Sequence, residues 1–128
     1  MDFIRKPKDF DVVVASNLFG DILTDIGAMI TGGLGLASSG NISFDDKNPS
    51  MFEPTHGSAP DIAGKNLANP IAQILTGAMM LSHLGEDNAA NKVRESVIKT
   101  LNNGNNLTSD IGGNSKTDEC TNEILNNL

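Results

Sequence analysis

Residues 53–70 read EPTHGSAPDIAGKNLANP and constrain the fold more than any other stretch of the chain. Three prolines and two glycines interrupt this stretch, so it cannot form one continuous helix or strand. The run from His56 to Ala59 has small side chains next to its histidine, which leaves backbone N–H groups open to a close ligand. We therefore predict an ordered loop that holds a flat, polar molecule. A histidine in such a loop is also often purely structural, and that alternative stays open for His56.

The overall composition limits the classes of function. A chain of 128 residues is long enough for one domain with a hydrophobic core. The net charge of −7 argues against a nucleic acid or an anionic membrane as partner. No apolar run reaches about 18 residues, the length that spans a bilayer, and residues 1–10 lack the apolar core of a signal peptide. The single cysteine, Cys120, gives no disulfide framework, so we expect a cytoplasmic protein.

The first third of the chain predicts a strand followed by a helix. Residues 10–16, FDVVVAS, are rich in valine and predict a buried strand. Asn17 is a suitable N-cap for a helix that runs to about residue 30. Helical spacing predicts a buried stripe on it, made of Leu18, Ile22, Ile26, Met29 and Ile30.

The glycine-rich residues 31–40 end that helix and lead into shorter elements. We predict a short strand over residues 34–37, a turn at DDKNP, residues 45–49, and a second short strand over residues 50–53.

Three further helices are predicted in the second half. Asn69 and Pro70 form a cap and a first helical residue for a strongly apolar core helix that ends near Gly85. A second helix over about residues 87–102 is stopped by Gly104. It has its buried stripe at Ala89, Val93, Val97 and Leu101. Thr117 is the predicted cap of the last helix.

Two clusters carry possible chemistry but have ordinary alternatives. Asp21 and Asp25 are four positions apart, so they share one helix face, and carboxylate oxygens suit Mg²⁺ or Mn²⁺. A solvated acidic edge explains the same pair. Gly32, Gly33 and Gly35 follow a helix and lack the spacing of a dinucleotide fingerprint or a phosphate-binding loop, so a helix stop with tight packing is the simpler interpretation.

Two more aspartates are candidates near the loop. The carboxylate of Asp61 could accept hydrogen bonds from both hydroxyls of an adenosine ribose, and it would repel a 2′-phosphate. We therefore predict a preference for NAD over NADP. Asp110 by itself is an ordinary turn aspartate.

Taken together, these segments are recognisable. Residues 16–42, SNLFGDILTDIGAMITGGLGLASSGNI, and residues 52–70, FEPTHGSAPDIAGKNLANP, resemble the β-decarboxylating dehydrogenases, and the likeness covers nearly the whole chain. That family includes isocitrate, 3-isopropylmalate, homoisocitrate and tartrate/D-malate dehydrogenases. The resemblance implies an α/β fold with an open mixed sheet flanked by helices, distinct from a classical Rossmann fold. It also implies that residues 1–30 belong to a small dimerisation domain and residues 31–128 to a large NAD-binding domain.

The resemblance also implies roles for particular residues. Asp21 and Asp25 match metal ligands for Mg²⁺ or Mn²⁺. Asp61 and Ile62 match the pair typical of NAD-dependent members, where NADP-dependent members have a basic and an aromatic residue. The positions that match the NAD site are Gly35, Glu53, His56, Gly57, Ser58, Ala59, Asp61, Ile62, Asn69 and Asp110.

Other parts of the family pattern have no match in this sequence. The arginine clamp, the catalytic tyrosine and lysine, and the third metal aspartate lie upstream in the family, so no catalytic residue is assigned here and we expect no turnover from this chain alone. The implied substrate is a small 2-hydroxy di- or tricarboxylic acid, and the implied assembly of the complete enzyme is a homodimer. The connector SFDDKNPSMFEP, residues 43–54, favours the tartrate/D-malate branch. An isocitrate or 3-isopropylmalate dehydrogenase, a non-catalytic nucleotide- or metal-binding subunit, and a gene remnant remain alternatives.

Overall fold

The computed structural model describes residues 1–45 and 47–128. It contains two strands, β1 (Ser38–Asn41) and β2 (Met51–Pro54). Its helices are α1 (Asp2–Arg5), α2 (Asn17–Ile30), α3 (Ile71–His83), α4 (Asp87–Asn103) and α5 (Thr117–Asn126). None of the helices in the described ranges combines the length and apolarity needed to cross a membrane.

The two strands pair in antiparallel register, and α3 packs against both of them. Gly40 lies opposite Phe52 in this pairing. A Cβ atom on Gly40 would lie 3.1 Å from the Phe52 ring and 3.2 Å from the Met79 sulfur, so the absent side chain allows α3 to approach the strands closely. The second strand confirms the prediction for residues 50–53, displaced by one residue.

The hydrophobic core lies between the last three helices. Ile71 of α3, Val97 of α4, and Cys120 and Ile124 of α5 form one buried cluster. Fully burying a side chain of the size of Ile71 contributes roughly 1.5–3 kcal/mol. Partly buried apolar residues complete the cluster: Leu36, Ile74, Leu75, Leu101 and Ile111. The core thus fixes α3, α4 and α5 relative to one another.

The predicted ends of the core helices are confirmed except at the start of α3, where Pro70 is the N-cap instead of Asn69 and Ile71 is the first helical residue. The side chain of Asn69, one residue before this N-cap, accepts a hydrogen bond of 3.0 Å from the N–H of Ile71. Gly85 and Gly104 follow α3 and α4 with φ angles of +83° and +69°, a left-handed conformation that glycine adopts without steric cost. Val97 is buried as predicted, and its stripe partners Ala89, Val93 and Leu101 are partly buried.

The strand predicted over residues 10–16 is wrong. These residues form no strand in the described chain, and Val12 and Val14 are 84% and 93% exposed. A valine run adopts a strand only where a neighbouring strand supplies backbone partners, and none of the described residues does so.

Helix α2 has the predicted bounds but not the predicted burial. Leu18 and Met29 are 68% and 67% exposed, Ile22 and Ile30 are also exposed, and Ala28 is the buried residue of the helix. Ile26 is the one stripe residue that is partly buried, so the residues described leave most of the predicted apolar stripe uncovered. Asn17 is the first helical residue rather than the cap, a position that Ser16 takes without a side-chain capping bond.

Three smaller predictions are corrected or fall outside the structure. Residues Leu34–Leu36 form a 3₁₀ turn instead of a strand, and the strand begins at Ser38. Lys116 is the N-cap of α5, since the Thr117 hydroxyl is engaged elsewhere. The predicted turn at residues 45–49 includes Asp46, which lies outside the described residues. The division into domains at residue 30 stays a prediction.

Candidate functional site

A cleft of about 600 Å³ opens beside the start of α3. Four parts of the chain form its walls. They are the 3₁₀ turn Leu34–Leu36, the loop of residues 56–69 after β2, the turn at Ser109 and Asp110, and Thr117 at the start of α5. The glycine-rich turn, the broken loop and the later turn thus meet at one place although they are far apart in sequence.

Most of the predicted cofactor residues line this cleft. Eight of the ten are present in its wall: Gly35, His56, Gly57, Ser58, Ala59, Ile62, Asn69 and Asp110. The other two, Glu53 on β2 and Asp61 in the loop, are exposed and do not line it. The structure therefore brings together the small and polar residues of the prediction and leaves its other two carboxylates outside.

A polar network fixes the carboxylate of Asp110 at the edge of the cleft. The Asn69 side chain donates a hydrogen bond of 2.9 Å to Oδ2 of Asp110, and the Thr108 hydroxyl donates one of 2.6 Å to Oδ1. Thr108 is fully buried, whereas Asp110 is exposed. Each carboxylate oxygen thus has one protein donor and remaining lone pairs for a ligand.

Gly35 lies against this network. A Cβ atom on Gly35 would be 2.5 Å from Oδ2 of Asp110 and 2.9 Å from Cβ of Asn69. Any larger residue at position 35 would therefore displace the Asp110 carboxylate or the Asn69 side chain. The glycine is required by this contact, since its φ angle lies outside the left-handed region.

The loop backbone is bent sharply at the mouth of the cleft. Ala59 has a φ angle of +42°, which is uncommon for a residue with a side chain, and its carbonyl accepts a 3.1 Å hydrogen bond from the N–H of Ile62. Nδ1 of the half-buried His56 lies 3.0 Å from the carbonyl oxygen of Gly57. Because a carbonyl only accepts, Nδ1 is the protonated nitrogen, and Nε2 of a neutral ring remains an acceptor.

Several residues of this region were missed by sequence reasoning, and three of them have hydrogen bonds that shape it. Thr108 precedes Asp110 by two positions, a spacing at which hydroxyl and carboxylate side chains often bond, and that pattern could have indicated it. Asn66 and Thr117 also line the cleft, and they hydrogen-bond to each other. Asparagine tolerates the left-handed conformation, but nothing in the sequence points to the partner of Asn66 on α5.

The two predicted metal ligands lie on α2, away from this cleft. Asp21 and Asp25 are both exposed. Asp21 lines a second cavity of about 620 Å³ between α2, the chain start and β1, and Asp25 does not. Within residues 1–45 and 47–128, no group of three or more His, Cys, Asp or Glu side chains is placed to hold a metal ion.

Comparison with known proteins identifies the family. The isocitrate/isopropylmalate dehydrogenase family matches residues 1–124. The chain belongs to this family. Residues 1–124 include both predicted metal ligands and every predicted cofactor residue.

Relatives in the isocitrate/isopropylmalate dehydrogenase family carry several different names at similar identity. The chain is 53% identical to a probable tartrate dehydrogenase/decarboxylase of Bacillus subtilis and 50% identical to a 3-isopropylmalate dehydrogenase of Corynebacterium jeikeium. It is 51% identical to a homoisocitrate dehydrogenase of Methanocaldococcus jannaschii. Each alignment covers 98% of this chain and 35% of the relative, so the chain spans about a third of the length of these proteins.

Solved structures of the family have the same fold. An isocitrate dehydrogenase from Methylococcus capsulatus superposes with a TM-score of 0.92 at 43% identity, over 98% of this chain and 37% of its own. A β-decarboxylating dehydrogenase from Thermococcus kodakarensis superposes with a TM-score of 0.86 at 42% identity, over 98% of this chain and 36% of its own. The predicted α/β fold of the isocitrate/isopropylmalate dehydrogenase type is therefore confirmed.

Proposed function

We propose that this chain is part of an NAD- and divalent-metal-dependent oxidative decarboxylase of 2-hydroxy acids. The observation that carries the proposal is the cleft, in which eight of the ten predicted cofactor residues meet. These residues come from separate segments of the chain, so their convergence depends on the fold. Membership in the isocitrate/isopropylmalate dehydrogenase family supports the same activity class.

The chemistry of the cleft fits the adenosine end of NAD. Gly35, Gly57 and Ala59 keep side-chain bulk out of the wall, which suits a flat ring. The Asp110 carboxylate, held by Asn69 and Thr108, is a fixed acceptor for a hydroxyl or amine group of a nucleoside. In this role the chain binds and orients the cofactor. NAD⁺, when bound, would accept the hydride from the hydroxyl-bearing carbon of the substrate.

The metal proposal rests on Asp21 and Asp25. Their carboxylate oxygens are the ligand type that Mg²⁺ and Mn²⁺ prefer, and both side chains are exposed and accessible. Two carboxylates are the right type of ligand, but they are too few to complete the coordination of a metal ion. The remaining ligands must come from groups outside the described residues, the substrate included. A bound metal would act as a Lewis acid on the substrate oxygens.

The substrate we propose is a small 2-hydroxy di- or tricarboxylic acid, with tartrate or D-malate as the first compounds to test. The connector of residues 43–54 favours that branch, and a tartrate dehydrogenase is among the similar relatives. The 3-isopropylmalate and homoisocitrate dehydrogenases are 50% and 51% identical to this chain, close to the 53% of the tartrate dehydrogenase. Isopropylmalate and isocitrate-type acids therefore belong in the same screen. A homodimeric, cytoplasmic complete enzyme is part of this proposal.

The test is a calorimetric titration of NAD⁺ into the purified chain, with and without Mn²⁺. We expect saturable binding of NAD⁺ and weaker binding of NADP⁺. Asp61→Lys should reduce the affinity for NAD⁺ and narrow the difference between the two cofactors, because the carboxylate at this exposed position is replaced by a cation. Equal affinities of Asp61→Lys and wild type would remove Asp61 from the cofactor site. No heat of NAD⁺ binding from a chain with a folded circular dichroism spectrum would contradict the proposal.

Binding without turnover is the expected behaviour of the chain by itself. The sequence contains no tyrosine, so the family's catalytic tyrosine cannot come from these residues. The second candidate is a non-catalytic nucleotide-binding module that acts together with another polypeptide, and it shares this expectation. A spectrophotometric assay for NADH with each hydroxy acid tests this expectation: turnover by the chain alone would contradict it for both candidates.

A further inference from the structure

The loop at the cleft is tied to the start of α5 by a pair of residues that the family resemblance did not single out. The Asn66 side chain donates a 2.7 Å hydrogen bond to Oδ1 of Asp118, 52 positions later in the chain. In return, Oδ1 of Asn66 accepts a 3.3 Å hydrogen bond from the backbone N–H of Asp118. The amide and the carboxylate residue are thus joined in both directions, which fixes their relative orientation.

Thr117 adds two hydrogen bonds to backbone carbonyls of the same loop. The N–H of Thr117 donates a 3.0 Å bond to the Asn66 carbonyl, and the Thr117 hydroxyl donates a 2.6 Å bond to the Ala68 carbonyl. Asn66, Ala68 and Thr117 all line the cleft. We call the pair Asn66 and Asp118, with Thr117, the loop clamp.

The conformation of Asn66 suits this arrangement. Its φ angle of +59° turns the chain before Leu67, and asparagine tolerates that region better than most residues because its side chain bonds locally. The hydrogen bond from Asn66 lowers the pKa of the Asp118 carboxyl, with smaller contributions from the backbone N–H of Glu119 and from Lys116. A charged acceptor gives a stronger hydrogen bond than a neutral one.

We propose that the loop clamp positions the wall of the nucleotide cleft, and that Asn66 and Asp118 are positioning residues for NAD⁺ binding. This inference rests on the proposed function of the cleft. Asp118 does not line the cleft, so it acts through Asn66 and Thr117. The backbone groups of residues 66–69 have no regular secondary structure of their own, and the clamp holds them in a single arrangement before the ligand arrives.

The clamp can be removed without disturbing the backbone. Asn66→Gly keeps a residue that adopts a positive φ angle at no steric cost and deletes only the side chain. Asp118→Ala deletes the other partner. Asp118→Asn retains an acceptor oxygen for the Asn66 amide and serves as the conservative rescue. We expect Asn66→Gly and Asp118→Ala to weaken NAD⁺ binding on the order of 2- to 30-fold, the range seen for residues that act on a site through neighbours.

Asn106 provides a matched control, because it is a loop residue whose side chain bonds to the same helix, α5. It also has a positive φ angle, +54°, and its side chain donates a 2.9 Å hydrogen bond to Oε2 of Glu123 in α5. It does not line the cleft. Asn106→Gly therefore increases the conformational entropy of the unfolded chain as Asn66→Gly does, and it loses a similar side-chain hydrogen bond. Unlike Asn66→Gly, it leaves the loop clamp intact.

The measurement is the Kd of NAD⁺ for the whole 128-residue chain and its four variants, at a temperature where each gives a folded circular dichroism spectrum. Weakened binding in Asn66→Gly and Asp118→Ala, with near wild-type binding in Asp118→Asn and Asn106→Gly, supports the proposal. A merely structural role would lower the thermal stability of Asn66→Gly and Asn106→Gly alike and leave the Kd of the folded molecules unchanged.

Two outcomes overturn the proposal and are distinct. If wild type binds NAD⁺ and all four variants bind equally well, the clamp has no positioning role although the proposed function stands. If wild type does not bind NAD⁺, the proposed function of the cleft fails and the clamp proposal fails with it. Amide hydrogen exchange at Thr117 then reports whether the clamp forms as a structural contact only, because that N–H bonds to Asn66.

Discussion

Nδ2 of Asn69 lies 2.9 Å from Oδ2 of Asp110, a hydrogen bond between residues 41 positions apart. The oxygen of the same Asn69 side chain accepts a 3.0 Å hydrogen bond from the N–H of Ile71, the first residue of α3. One side chain thus joins the start of the core helix to the turn that carries the acidic group of the cleft. The stability of the fold and the geometry of the site are coupled through this residue.

A double-mutant cycle on Asn69 and Asp110 should reveal this coupling. Because the two side chains contact each other directly, the free energies of unfolding of Asn69→Ala and Asp110→Ala should not add in the double variant. We expect an interaction energy of about 0.5–3 kcal/mol from urea denaturation. Additivity within error would show that the hydrogen bond contributes nothing measurable.

Gly35→Ala should destabilise the chain and weaken NAD⁺ binding. The added methyl group would lie 2.5 Å from Oδ2 of Asp110, and overpacking of this kind typically costs about 1–3 kcal/mol in free energy of unfolding. Gly77→Ala is the control, since a Cβ on this α3 residue meets no described atom within 4 Å. It should stabilise the chain by about 0.5–1 kcal/mol. Equal effects of the two substitutions in chemical denaturation would contradict the crowding at Gly35.

Thr108→Val tests the second donor to Asp110. The buried Thr108 hydroxyl donates a 2.6 Å hydrogen bond to Oδ1 of Asp110. Removing a hydrogen bond to a charged group lowers the free energy of unfolding by about 1.5–3 kcal/mol. Thr76→Val is the matched control: Thr76 is equally buried, but its hydroxyl bonds to the Ala72 carbonyl within α3, where little is lost. Thr108→Val should therefore unfold at lower denaturant concentration than Thr76→Val. It should also bind NAD⁺ more weakly, and the reverse order would rule out the proposed support of Asp110.

Cys120 should make the stability of the chain fall at alkaline pH. Burial raises the pKa of the Cys120 thiol above its ordinary value of 9.0, and the Asp110 and Glu123 carboxylates raise it further. The stabilising contribution of the protonated thiol is complete below pH 9.0, which is its ordinary pKa, and is lost as the pH rises towards the folded pKa.

Thermal unfolding of wild type and Cys120→Ala between pH 7 and 11 tests this expectation. Wild type should lose stability relative to Cys120→Ala only above about pH 9, where a thiol in the unfolded chain ionises. Alkylation of Cys120 by iodoacetamide should be slow in the folded chain and fast in denaturant, since the residue is fully buried. A constant difference across the pH range would contradict the raised pKa.

The core helices were predictable because their signals are local. Asn69 bonds to the first N–H of α3, Gly104 ends α4, and the Val97 stripe is spaced at one helical turn. Each of these depends on a few neighbouring residues. The valine run at residues 12–14 and the apolar face of α2 carry equally clear patterns, yet both are exposed. Hydrophobic spacing predicts which side chains favour burial, but the partner surface that buries them is a property of the assembled protein.

The site was predictable as a set of residues but not as a geometry. The resemblance to the β-decarboxylating dehydrogenases pointed to Gly35, Asn69 and Asp110, and the fold brings them into contact. Neither composition nor spacing indicated the bonds between Asn66 and Asp118, because they join positions 52 residues apart through one amide side chain. Such long-range contacts leave no periodic signal in a single sequence.

Amide hydrogen exchange of the whole chain with and without saturating NAD⁺ tests the central claim most directly. If the cleft binds the nucleotide, exchange should slow together in the loop of residues 56–69 and at residues 108–111, two segments that meet at this cleft. The exposed face of α4 should not change, which provides an internal control. Protection confined to α2 and the second cavity, or no protection at a concentration that saturates calorimetric binding, would contradict the assignment of the cleft to NAD⁺.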